Sequence, residues 1–189
     1  DKVIYKYDLS QFRTDKFSKE INLVRSLYDE KERIIQALIL NLYRQELATI
    51  NNINLKPVIL FKAKKRIEES KQNKENFHKL IDEFSETMVE KIQKTSTVPI
   101  VQKAFQFFEA KNISLNEIAK RIHNNFREEN CLSVNNDSEA EKNQILLNTL
   151  EDENNPIRAV FAVQKLNEGW DVLNLFDIVR LYEDRDGKD

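Results

Sequence analysis

The sequence predicts an α/β protein with a parallel sheet flanked by helices. Two observations carry this reading. Short, continuous apolar runs bounded by breakers recur at 58–61, 131–134, 159–163 and 175–181, as expected of strands buried on both faces. Between them lie longer stretches with helical periodicity, so the order strand, helices, strand, helix, strand, loop, strand implies right-handed crossovers and a parallel sheet.

Taken in order, Val3, Tyr5, Tyr7 and Leu9 alternate with Lys6 and Asp8, which reads as a strand. A long helix is expected from about Tyr28 to Ile50, because Ile34, Leu38 and Leu42, with Ile35, Ile39 and Tyr43, recur at a spacing of four. Asn51 and Asn52 end it, and Pro57 opens the strand that runs to Phe61. Phe77, Leu80, Ile81, Phe84, Met88 and Ile92 form one apolar stripe, predicting a helix over 76–93 that stops at the Thr95 to Pro99 breaker. A further helix carries Ala104, Phe105, Phe107 and Phe108. Ser114 and Glu117 have the capping-box spacing and start another, through Ile118, Ile122 and Phe126. The region 77–127 is too long for one crossover and reads as an extra helical layer inserted between strands. Asp137 or Ser138 caps the helix bearing Ile145, Leu146, Leu147 and Leu150, and Asn154, Asn155 and Pro156 make a turn before the third strand.

Composition bounds the function. Hydrophobic residues make up 40 % and charged residues 33 % of 189, too apolar a mixture for disorder. No apolar run approaches the ~18 residues that span a bilayer, and the charged, alternating start reads as no signal peptide. A single cysteine, Cys131, excludes an internal disulfide and a cysteine-based zinc site, and fits a reducing cytoplasm. The net charge of -2 hides a division. Lys56, Lys62, Lys64, Lys65, Arg66, Lys71, Lys74 and Lys79 face only Glu68, Glu69 and Glu75, whereas residues 137–153 hold six acids against Lys142. A neutral total with one basic face suits phosphate contact on one side, although solvated helix faces would give the same pattern.

Ligands of open α/β sheets bind beyond the carboxyl ends of the strands. Three such ends are polar: Lys62 to Lys65, Asn135 to Asp137, and Gln164 to Asp171. Glycine is scarce, and Gly169 is the one glycine outside the charged tail. Its place between Glu168 and Trp170 suits a backbone of positive φ or a close ligand approach. No glycine-rich phosphate loop is present, so the chain is not expected to hold a triphosphate unaided. His78 and His123 lie in helical patterns without paired ligands, and no metal-spaced carboxylates or nucleophile triad are apparent.

These residues carry a resemblance. Lys56-Pro57-Val58-Ile59-Leu60-Phe61-Lys62 resembles the strand that opens the second motor domain of type III restriction-type helicases, motif IV. The run 156–163, followed by Leu166-Asn167-Glu168-Gly169-Trp170-Asp171-Val172, resembles that family's motif V, and 173–181 continues the match. Tyr7, Asp8, Leu9 and the helix around Arg33 to Arg44 resemble the segment leading into the domain. The resemblance implies a RecA-like fold of superfamily two. Residues 1–55 would be the lead-in strand and helix, and 56–189 the second RecA-like domain with a helical insertion at about 77–127. It implies that ATP and Mg2+ bind between two motor domains of the parent, with none expected on this chain alone. Gly169, Asp171 and Glu168 would serve the ATP cleft, and Phe61, Lys62, Lys64, Lys165 and Asn167 the DNA path. Partners implied are DNA, the first motor domain and a methyltransferase or specificity subunit, in the cytoplasm and away from membrane. Motif VI should follow Leu181 and does not appear, so the chain reads as an inactive piece of an active parent. A non-catalytic docking module using the 77–127 helices, or a repair or phage-defence helicase of the same superfamily, are the competing readings.

Overall fold

The computed structural model describes residues 9–15, 29–64, 66–135, 137–163 and 172–182. Its helices are α1 (Leu9–Thr14), α2 (Glu30–Ile50), α3 (Ile67–Asp82), α4 (Glu86–Thr95), α5 (Pro99–Ala110), α6 (Leu115–Asn125) and α7 (Asp137–Asn148). The strands are β1 (Val58–Lys62), β2 (Cys131–Val134), β3 (Ala159–Ala162) and β4 (Leu175–Arg180). All neighbouring strands pair in parallel, in the order β2-β3-β1-β4. The result is an α/β, RecA-like arrangement, as the apolar runs predicted.

Strand alternation divides the sheet into two cores. Ile59, Phe61, Ala159, Phe161 and Val179 face α2 and the helices α3 to α6. Val58, Leu60, Leu132, Val134, Val160 and Ala162 face the opposite side, with Leu147 and Leu150 of α7. The chain therefore crosses on one face going from β1 to β2 and on the other from β2 to β3, as right-handed crossovers in opposite directions require.

Helix α2 is the hub. Asp29 caps it by accepting the Glu32 amide at 2.8 Å, and Glu30 and Glu32 in its first turn suit the positive end of the helix dipole. Ile34 through Tyr43 are all buried, a pattern expected when a helix is packed on every side rather than along one stripe. It ends at Asn51, and Asn52 takes the left-handed conformation at φ 57, which asparagine tolerates better than most residues.

Two expectations change in detail. Leu9 opens α1 instead of closing a strand; residues 1–8 lie outside the described part. The stripe over 76–93 belongs to two helices, because Glu83 and Phe84 close α3 through amides donating to Lys79 and Ile81. Phe84 then turns into the core, and Ser85, extended at φ -138, restarts the chain as α4. A serine just before Glu86 is an N-cap signal that the continuous apolar stripe obscured. The capping box is present: Ser114 Oγ accepts the Glu117 amide at 3.2 Å.

A buried polar network pins α2 to the amino edge of the sheet. Asn41 donates to the Pro57 carbonyl at 3.1 Å. Arg158 donates to the same carbonyl at 3.2 Å, to Asn41 Oδ1 at 3.0 Å and to Gln45 Oε1 at 2.8 Å. Its guanidinium lies 5.7 Å from the Phe126 ring centroid. Burial pushes Arg158 down to about 10, yet hydrogen bonds to carbonyl oxygens compensate part of the desolvation. Beside it, Arg44 Nη1 contacts both carboxylate oxygens of Asp177, at 2.7 and 2.6 Å. Burial raises the Asp177 pKa while Arg44 opposes the rise. The register shift between Val58 and Ile59 leaves Phe176 as an extra residue in β4, and so turns Asp177 onto the α2 face.

Candidate functional site

Parallel pairing brings the carboxyl ends of all four strands to one edge. Lys62 of β1 is in register with Ala162 of β3 on one side and Arg180 of β4 on the other, and Val134 of β2 is in register with Ala162. The connections after β1 and β3 leave in opposite directions, since β1 leads to β2 and β3 leads to β4. The crevice between β1 and β3 is thus the place where doubly wound sheets bind their ligands.

Of the expected site residues, Lys62 and Lys64 lie at this edge, half-buried. Ala63 continues the ladder, donating to the Ala162 carbonyl at 3.0 Å, and the Lys62 carbonyl accepts the Leu181 amide at 3.0 Å. These bonds carry β1 and β4 together to their ends and fix where the two lysines emerge. Lys165, Asn167, Glu168, Gly169 and Asp171 lie outside the described residues. The chain that leads to them leaves β3 at Val163, on the same edge as Lys62.

Phe61 requires a correction. It is 1 % exposed, its ring stacked on Phe161 at 4.9 Å and tilted against Phe77 at 5.0 Å. A ring enclosed this way has no face left for an external strand. Its position in the alternation assigns it to the α2 side of the sheet, and its work is packing.

Two residues at the edge escaped the sequence reading. Arg180, the last residue of β4, is exposed beside Lys62. Tyr182, half-buried, has Lys64 Nζ 5.9 Å from its ring centroid. The basic run after β1 was legible in one dimension. That β4 would place an arginine and a tyrosine against it depends on strand order, which the sequence did not specify.

The remaining basic residues of α3 and its N-cap vary in exposure: Arg66 at the N-cap, Lys71 and Lys79 are exposed and Lys74 is half-buried. Two clefts, of about 380 and 240 Å³, open within the helical layer, and His123 lines both. Neither is lined by strand-end residues, so neither bears on the carboxyl edge. His78, in the smaller cleft, is lowered below its ordinary value, mainly by burial and then by Lys74. Cys131 is buried and raised to about 12, which leaves it an unreactive thiol. Among the described residues no cluster of histidine, cysteine and acids has metal-binding geometry, and no helix is long and apolar enough to cross a membrane.

No family model matches the chain, and no solved structure matches it. Among curated proteins, the probable type III restriction-modification enzyme HindVIP Res subunit of Haemophilus influenzae is 37 % identical over 210 aligned residues, covering 99 % of this chain. The chain is homologous to a type III restriction-modification Res subunit. It spans 40 % of that relative's length. The chain's counterpart thus lies within a longer polypeptide.

Proposed function

We propose that this chain is the second motor domain of an ATP-driven DNA translocase subunit in a type III restriction-modification system. The observation that carries the proposal is the 37 % identity to a Res subunit across 99 % of the chain. The sheet supports it, with a β1-β3 crevice at one edge and half-buried Lys62 and Lys64 emerging there. In this reading residues 56–189 form the motor domain, the 77–127 helices are an insertion, and α2 belongs to the lead-in. ATP and Mg2+ bind between this domain and the first motor domain of the same parent, in the cytoplasm.

Gly169 lets the backbone approach the nucleotide, Asp171 contacts the cleft, and Glu168 relays its state. Lys62, Lys64, Lys165 and Asn167 hold DNA phosphates, so the chain contacts the backbone without reading bases. The modification subunit supplies recognition.

The test is Asp171→Ala in the full-length parent, with DNA-stimulated ATP hydrolysis as readout. Turnover is expected to fall while thermal unfolding is unchanged; wild-type turnover would remove Asp171 from the cleft. The chain alone is expected to hydrolyse no ATP, and measurable turnover would contradict a half-site.

A further inference from the structure

The link from α2 to β1 holds Asn51, Asn52, Asn54 and Pro57, residue types that mark a break in the chain. By composition alone, two bodies would flex against each other there. Yet the link is tied down along its length. Asn54 donates to Glu153 at 2.6 Å, and Lys56 Nζ donates to the carbonyls of Asp152 and Asn155. Asn174 donates to the Lys56 carbonyl at 3.1 Å. Asn41, back within α2, donates to the Pro57 carbonyl at 3.1 Å.

Helix α2, about 32 Å long, is gripped over most of its own length. It packs against α4, α5, α6, β1 and β4, and Ile34 through Tyr43 are buried without interruption. Tyr43 sets its ring edge-on to Phe107 and Phe108 of α5, with centroids 5.1 and 6.2 Å apart. Gln45 Oε1 accepts from Asn125 of α6 at 3.1 Å as well as from Arg158. Glu46 pairs with Arg121 of α6 at 2.7 Å, and Glu32 with Lys91 of α4 at 2.7 Å. Exposed pairs such as the last contribute little. The buried stretch decides the matter, because freeing α2 would bare its apolar side chains and strip Arg44 from the buried Asp177 carboxylate.

We infer that α2 and the sheet are one mechanical body, with the 51–57 link a pinned turn and not a hinge. The inference rests on the motor-domain reading and deepens it. Motif IV opens at Lys56, but the unit that moves begins at Asp29. Any motion of this domain against the polypeptide that precedes it is carried rigidly along α2 to the amino end of the helix.

The experiment is hydrogen exchange by mass spectrometry on the whole chain through a urea series. Amides of 35–43 are expected to exchange as slowly as those of β1 and β3 and to lose protection together with them, since α2 opens only when the sheet does. A second chain carries two extra glycines between Ile53 and Asn54. The entropy of closing a loop grows slowly with its length, so a helix held by its own contacts keeps its protection, and one held by a short link loses it. Exchange over 35–43 that outpaces β1, in either chain, overturns the inference. A full-length parent freed of other reactive cysteines then takes spin labels at Ile50→Cys on α2 and Ile145→Cys on α7, both exposed positions, while Cys131 is buried. Their separation is expected to stay the same with and without DNA and a non-hydrolysable ATP analogue. A separation that shifts when these are added overturns the inference even where exchange agrees. None of these readouts depends on ATP turnover, so their failure leaves the translocase reading to its own test, Asp171→Ala.

Discussion

Arg158 is a guanidinium 5 % exposed, held by oxygen atoms of Pro57, Asn41 and Gln45 rather than by a carboxylate. Its removal leaves Asn41 Oδ1 without its donor, whereas the Pro57 carbonyl keeps Asn41 Nδ2 and Gln45 Oε1 keeps Asn125 Nδ2, and a buried acceptor left unpaired costs about 1–3 kcal/mol. Arg158→Met, which keeps apolar bulk, is expected to lower stability by about 1–3 kcal/mol in urea denaturation; a loss within experimental error would mean Asn41 finds another donor. His78 gives a pH-dependent prediction. Its pKa in the folded chain is lowered from 6.5 by burial first and by Lys74 second, against the opposing Glu128 and Asp82. The unfolded chain therefore binds the proton more readily, and His78's contribution is complete above pH 6.5 and declines as pH falls below it. Denaturation midpoints should drop between neutral pH and the carboxylate range, and His78→Gln should flatten that drop. Neither residue's role could be read in sequence, because burial and the identity of buried neighbours are properties of the packed chain.

At the scale of elements, local signals performed well where the chain's own chemistry decides the outcome. Asp29 and Ser114 cap α2 and α6 through amides three residues on, and Pro99 opens α5 at a position that needs no amide donor. Asn112, at φ 56, closes the turn after α5 in the left-handed region. Asn112→Ala is expected to cost about 1 kcal/mol and Asn112→Gly to be neutral or better, measured by thermal melts, since a Cβ is penalised there. The stripe over 76–93 was misread as one helix because periodicity survives a tight break when both helices face one core. Phe61 was misassigned for a related reason. A strand that is apolar on both faces does not say which residue points to a core and which to an edge. Phe61→Ala is expected to lose about 3–5 kcal/mol, as for aromatic truncations in packed cores. Its effect on DNA binding should follow unfolding alone, so weaker binding by a chain still folded would return Phe61 to the interface.

For the molecule as a whole, the fold class was legible because apolar runs and helical periods are local, and the handedness of crossovers then leaves few topologies. The resemblance to type III Res subunits was read from residues 56–62 and 156–181, and the 37 % identity over 99 % of the chain agrees with it. Charge was only half legible. The cations from Lys62 to Lys79 could be counted, yet the edge they share with β4 could not. Long-range pairing at that edge sets the last prediction: DNA binding by the chain should be weak and lost at high salt, and salt-insensitive affinity would argue against phosphate contacts. Sequence by itself determined the four described strands, the long helix α2 and the parallel sheet, since these follow from patterns spanning a few residues. Only the tertiary structure decided that β4 lies beside β1, that Arg180 therefore stands against Lys62, and that Arg158 is enclosed with Asn41. Those contacts join residues 100 or more positions apart, where no local rule reaches and the packing of both sheet faces selects the partner.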